Sequence, residues 1–300
     1  MKLTLFLAGV VVLLIAGSYL IIPGQVNIVV TKTVRCTASG AGRAIVEASN
    51  WERWQRGEQR VFELTGKYYH AAELGFDQPG SGRRDSGRVN ILPLTLDSLL
   101  LQWTCVVPTS GNPFLRYARY REAVGLKKAA EVMLGNARAW MEKKENVYGI
   151  DVWNAISKDS VVLMTTLKTT GYPDTKDIYK KIAELRKYIA AHGAKETDHP
   201  MLNVAVLEGG QFESKIAIAT DVALDGNAVF KQKRFVPWKV VVGQTKGGPW
   251  MAERAMKQLR QYLTDYEKVT MALPFQLLVT ERDQQPDSTR WVTQVIQPVS

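Results

Sequence analysis

Apolar and polar residues alternate along VNIVVTKTV (26–34), the period of a half-buried β-strand. GRAIVEASNWERW follows with helical spacing and closes on two tryptophans, Trp51 and Trp54. Four strand-like runs come next, RVFELTG, YYHAAELGF, GRVNILPLTL and DSLLLQWTCVV, broken by the turn-forming PGSGRRDSG. Asn112-Pro113 then open a long helix. Its apolar residues Tyr117, Tyr120, Val124, Ala130, Met133, Leu134, Ala137 and Met141 recur at three and four, which predicts one buried stripe. Strand, short helices, antiparallel meander and long helix together predict a sheet curled round a helix with a cavity between them.

The second half of the chain repeats itself. LRKYI at 185–189 returns as LRQYL at 259–263, and HPMLNVAVL from His199 returns as LPFQLLVTE from Leu273, both at an offset of 74 residues. Each copy reads strand, loop, helix, strand, strand. Ile178, Ile182, Leu185 and Ile189 mark one helix face, and Ala252, Met256, Leu259 and Leu263 mark its counterpart. Two such βαββ units bury their exposed strand edges by joining. The pseudo-twofold pair they form has a groove along its axis, and that groove is the expected ligand site.

From Leu3 to Ile22 there is no charged residue. Twenty helical residues span ~30 Å, the hydrocarbon thickness of a bilayer. The run reads as an uncleaved single-pass anchor, with a cleaved signal peptide as the alternative. Lys2 on one flank and Lys32, Arg35 and Arg43 on the other set the orientation weakly, with the remainder placed on the periplasmic side. The length of 300 residues then divides into an anchor at 1–24, a first domain at 25–147 and a second at 148–300.

Charge and chemistry narrow the function less. The net charge is +10, but most basic pairs are scattered among acids, and KQKR at 231–234 is the one tight cluster. That describes an ordinary solvated surface, and no segment is left over for a helix-turn-helix, so nucleic acid is not an expected partner. Cys36 and Cys105 form no metal motif, and His70, His192 and His199 stand far apart, so neither a metal nor a cofactor is expected. Lys246-Gly247-Gly248 lacks the spacing of a phosphate loop and reads as a tight turn. No catalytic triad or acid–base pair can be assembled from spacing, so no catalytic residue is assigned.

Residues 26–147 resemble the START-like superfamily (SRPBCC, polyketide cyclase/dehydrase-type), the helix-grip fold. The features that carry this are the opening strand, NWERW, DSLLLQW and NPFLRYARY. Residues 151–300 resemble the GyrI-like family, the effector-binding domain also attached to AraC-type regulators, most sharply at KGGPW, ALPFQLLVTERDQQPDST and WVTQVIQPV. The whole chain resembles bacterial proteins that fuse the two behind one N-terminal anchor, an α+β architecture. The resemblance implies membrane-tethered binding or sensing of small hydrophobic or aromatic molecules. The alternatives are a hydrolase or cyclase acting in one of the two cavities, or a scaffold for an unidentified protein partner.

The resemblance also implies site residues. Gln294 stands where the GyrI-like family carries a buried Glu, and an amide cannot neutralise a cation, so neutral aromatic ligands are expected over cationic ones. Tyr172 and Trp250 stand at the starts of the two repeat helices, where an aromatic either stacks on a ligand or plugs the groove. Phe275 enters a strand beside the groove, as a further candidate that also reads as core. Trp51 and Trp54 either pack beside the mouth of the first cavity or touch its ligand. Glu281 sits at a strand-end turn and reads as a solvated acid.

Overall fold

The computed structural model describes residues 16–17, 19–56, 61–77, 84–158 and 160–300. The chain forms two compact units that divide between Lys143 and Lys144. The proposed anchor falls largely outside the described residues, at 3–15 and 18. Among the described residues no helix is long and apolar enough to cross a membrane.

In the first unit β1 (Gln25–Val34) leads through α1 (Ala38–Ile45) and α2 (Ala48–Trp54) to the meander β2 (Phe62–Tyr68), β3 (Ala71–Asp77), β4 (Arg84–Thr95) and β5 (Ser98–Pro108). The sheet is antiparallel in the order β1-β5-β4-β3-β2. The Oγ1 of Thr37 accepts from Gly40 N at 3.1 Å and starts α1. Asn112 does the same for α3 (Pro113–Met141), accepting from Phe114 N at 3.0 Å, with Pro113 where its missing N–H costs nothing.

Tryptophans join the helices of this unit to one another and pack across its sheet. Trp51 donates its indole N–H to Ile45 O at 2.6 Å and meets Trp54 edge-on at 4.9 Å. Trp54 meets Trp140 of α3 at 5.7 Å, and Asn136 donates to the Trp54 carbonyl at 2.8 Å. Trp103 packs on Phe62 and Phe76 and lies so close over Gly87 that a Cβ there would sit 2.6 Å from the indole. Each tryptophan removes ~200 Å² from water, worth at most ~5 kcal/mol.

The stripe along α3 is buried only from Ala123 onward. Ala123, Leu126, Ala130, Met133, Leu134, Ala137 and Met141 face the core, whereas Tyr117, Tyr120 and Val124 are exposed. The reason is length: 29 helical residues extend ~43 Å, but the ten residues of β1 extend only ~33 Å. The first turns therefore overhang the sheet. Arg116 in the overhang donates to Ile22 O through Nε at 2.8 Å and Nη2 at 2.6 Å, and its guanidinium covers the Tyr19 ring.

The second unit opens with α4 (Lys144–Tyr148) and β6 (Asp151–Ile156). The first copy of the repeat is β7 (Ser160–Thr169), α5 (Thr175–Ala191), β8 (Met201–Val206) and β9 (Phe212–Thr220). After β10 (Lys231–Phe235) the second copy is β11 (Lys239–Lys246), α6 (Pro249–Asp265), β12 (Phe275–Leu278) and β13 (Val292–Pro298). All eight strands form one sheet in the order β10-β7-β9-β8-β12-β13-β11-β6. The two triplets are mirror-ordered about the β8–β12 seam, and β10 and β6 close the outer edges.

Both helices lie on one face of this sheet. Ile178, Ile182, Leu185 and Ile189 of α5 pack on Leu163, Leu202, Ile216 and Ile218. Ala255, Leu259, Tyr262 and Leu263 of α6 pack on Val241, Val295 and Val299. The basic cluster KQKR belongs to β10, whose five residues are all exposed. Lysines along an outer strand discourage pairing with another chain, so the cluster guards a sheet edge.

The β1–β5 ladder places Ile28 opposite Cys105, while its last residue, Val34, is already six strand residues away from that pair and Cys36 lies two residues further on. At ~3.3 Å per residue the separation is ~20 Å, far outside disulfide reach. Burial, reinforced by the Asp85 carboxylate, pushes the Cys105 thiol up to about 11. It therefore stays protonated and unreactive at neutral pH. Unreduced, denatured protein should titrate two thiols, and native protein at pH 8 should leave Cys105 unalkylated for as long as it stays folded. An unreduced monomer with no titratable thiol would contradict this register.

Candidate functional site

Leu202 and Gln276 occupy equivalent positions in the two copies and pair directly across the seam, so the pseudo-twofold axis passes between them. On the helix-bearing face a groove of about 280 Å³ runs along α6, lined by Tyr172, Leu202, Phe212, Met256, Pro274 and Gln276. Gln276 breaks the symmetry of its floor by setting an amide where the first copy has Leu202.

Loop length decides which aromatic reaches this groove. Residues 170–174 separate β7 from α5, long enough for Tyr172 to fold back and meet Phe212 edge-on at 5.8 Å. Only Gly247 and Gly248 separate β11 from α6. Gly247 has φ +136°, a conformation that favours glycine, and donates its N–H to Trp291 O at 2.8 Å. That tight turn puts Trp250 in the first turn of α6, 65% exposed and outside the groove.

Burial and the Glu253 carboxylate raise the Tyr172 hydroxyl above its ordinary range, against smaller opposing effects of a Gln276 side-chain hydrogen bond and the Arg282 charge. The group is therefore a phenol at neutral pH, able to donate. Outside the groove's lining, the loop 279–291 delivers Arg282, which is 5% exposed. Its Nη2 donates to Thr293 Oγ1 at 2.8 Å and its guanidinium lies 5.1 Å over the Trp291 ring. Its backbone N–H donates to the Tyr179 hydroxyl at 2.9 Å.

Glu281 is not a solvated acid. Arg186 of α5 donates to it from both Nη atoms, at 3.1 and 2.6 Å, and to Glu196 from Nε and Nη2, at 2.8 and 3.0 Å. These charge-assisted bonds hold the Arg186 guanidinium protonated far above its ordinary range, against the cost of partial burial. The loop is thereby clamped to α5, and the Glu281 carboxylate is engaged away from its neighbour Arg282.

Gln294 lies on the opposite face of the sheet. It pairs across the ladder with Leu277 and shares that residue's side, while Val295 points towards α6. On this helix-free face a hollow of about 440 Å³ has an apolar floor that includes Met201, Val240, Val242, Leu277 and Ile296. Gln294 is a polar group in its lining, and its Nε2 donates to Oε1 of Gln244, the residue directly opposite on β11, at 3.2 Å. Phe275 borders both the hollow and the groove, with Phe235 of β10 at 6.4 Å.

The expected site is therefore divided. Tyr172 belongs to the groove, Gln294 to the hollow and Phe275 to both, while Trp250 joins neither. Trp51 and Trp54 are 2% and 0% exposed, packed inside the first unit. Sequence reasoning missed Phe212, Gln276 and Arg282. Only Gln276 carried a signal, since the repeat aligns it with Leu202.

No family model matches the chain, and no curated protein matches it. Among solved structures it is similar to the C-terminal domain of EcmrR, with 13% identity, 50% of this chain and 98% of that chain covered, and a TM-score of 0.44. A hydrolase from Listeria innocua shows 13% identity over 50% of this chain and 91% of that one, with a TM-score of 0.38. SAV2435 bound to tetraphenylphosphonium shows 14% identity over 50% and 94%, with a TM-score of 0.33.

The clamp on the loop gives a direct test. Arg186→Met should destabilise the second unit by about 1–3 kcal/mol, as loss of a charge-assisted network does. It should also speed amide exchange several-fold across 279–291 while leaving β9 unchanged. Equal exchange in variant and wild type would show that the loop is held by something else.

Proposed function

We propose that this protein is a membrane-tethered binder of small apolar molecules, a GyrI-like ligand-binding unit carried behind a START-like one, and that it holds its ligand without turning it over. The hollow on the helix-free face is the main site. The observation that carries this reading is the hollow's floor, the apolar Met201, Val240, Val242, Leu277 and Ile296 with one amide pair, Gln294–Gln244, beside it, while the charged residues of its lining, Lys158, Asp198 and Asp221, all stand in loops beyond the strand ends. Each 100 Å² of apolar ligand surface buried there contributes ~2.5 kcal/mol. The amide pair retains one carbonyl oxygen and one NH₂ for a polar ligand group, and offers a cation no countercharge.

The tether is supported by the uncharged run 3–22 and by what stands at its foot. Tyr19, Phe114, Leu115 and Tyr117 are exposed there, beside Arg116, which is bonded to Ile22 O. Exposed aromatics next to a cation are the composition of a membrane–water interface.

Fluorescence titration with size-matched neutral and cationic aromatic probes tests the site. Wild type should prefer the neutral probe, Gln294→Glu should reverse the preference by roughly tenfold, the worth of one new ion pair, and Trp250→Ala should change neither affinity. A wild type that already prefers the cation overturns the reading. For the tether, the full chain should pellet with membranes and resist carbonate extraction. Recovery in the soluble fraction with the first residues removed would replace the anchor by a signal peptide.

A further inference from the structure

Arg282 sets up an electrostatic problem that its surroundings do not solve. Its side chain is 95% removed from solvent by the loop, Trp291 and Thr293 (5% exposed). Its Nε has no hydrogen-bond partner, and no carboxylate is among the groups that act on its charge, which are the Tyr179 and Tyr172 hydroxyls. Glu281, next in the chain, is committed to Arg186. Burial accordingly pulls the Arg282 pKa below its ordinary value. A buried guanidinium is normally paired with an anion, because the cost of removing it from water is recovered only through a countercharge.

The groove beside it has the complementary features. Leu278 and Thr293 face the helices at the inner end, and Gln276 lies two residues, ~7 Å, back along β12 on the same face. Gln276 and Tyr172 both line the groove and both can donate hydrogen bonds into it. The charged residues of its α6 wall are Glu253, whose carboxylate acts on Tyr172 and opposes an anion there, and Lys257 and Arg260, which outweigh it and leave the wall net positive. Phe212, Met256 and Pro274 supply apolar surface that a bare inorganic anion would leave unused.

We infer that the helix-face groove is a second ligand site, separate from the hollow, and that it takes an aromatic carboxylate. The ring lies on Phe212, Met256 and Pro274. Tyr172 and Gln276 donate to the carboxylate, and Arg282, which does not line the groove but lies near enough to act on the Tyr172 hydroxyl, supplies the countercharge through space. The hollow and the groove are then sites of opposite character on the two faces of one sheet.

The experiment uses the full chain, with 2-naphthoate and its neutral isostere 2-naphthamide titrated at low ionic strength. Naphthoate should bind about tenfold tighter, the worth of one charge-assisted hydrogen bond. Arg282→Met should abolish that difference while leaving naphthamide binding unchanged. Gln276→Leu, which installs the residue the first copy already carries, should weaken naphthoate several-fold and serves as the test if Arg282→Met fails to fold. Gln294→Glu alters the hollow and should leave the naphthoate preference intact, so failure here and failure of the main site are distinguishable. The inference is overturned if naphthoate binds no tighter than naphthamide, if its advantage survives either groove variant, or if inorganic phosphate displaces it at equal concentration.

Discussion

The second unit depends on a very short seam. Only Met201 with Leu277 and Leu202 with Gln276 pair between β8 and β12, yet these pairs convert two half-sheets into one sheet of eight strands. One backbone and one side-chain hydrogen bond reinforce them, Leu278 N to Pro200 O at 2.9 Å and Asn203 Nδ2 to Pro274 O at 2.7 Å. Without the seam each βαββ half would expose a strand edge and lose one wall of both concavities. Side chains alternate across the sheet, so the same few residues build two floors. Leu202 and Gln276 face the helices, and Met201 and Leu277 face the other way.

A symmetric frame binds nothing selectively until its symmetry is broken, and here it is broken at three points. The five-residue loop before α5 delivers Tyr172 into the groove, whereas the two-residue turn before α6 turns Trp250 out to solvent. Gln276 replaces the apolar residue of the other copy. The long connection 279–291, against 207–211 in the first copy, brings in Arg282 and Trp291 and is clamped by Arg186. The frame comes from the repeat and the chemistry comes from its exceptions.

This division also explains what the sequence disclosed. The strands, the paired helices and the 74-residue offset were legible because periodic burial imposes periodic apolar residues, and the observed β1–β5 register keeps the two cysteines apart as the ladder geometry requires. Strands β6 and β10 were not legible, since β6 stands outside the 74-residue repeat, β10 reads as a basic cluster, and both pair with partners far away in sequence. The overhang of α3 was hidden for a similar reason: its apolar spacing continues past the end of the sheet it would need to cover. Arg282 looks like any loop arginine between two acids. Its burial is decided by Tyr179, Trp291 and Thr293, which sequence spacing does not bring together.

The most direct test of the main site is photoaffinity labelling of the full chain with a neutral aromatic diazirine, mapped by peptide mass spectrometry. The account predicts labels concentrated on β8, β11, β12 and β13, at or beside Met201, Val242, Leu277 and Ile296, that disappear when unlabelled neutral ligand is added in excess. Competable labelling confined to the first unit, or to the exposed faces of α5 and α6, would contradict it.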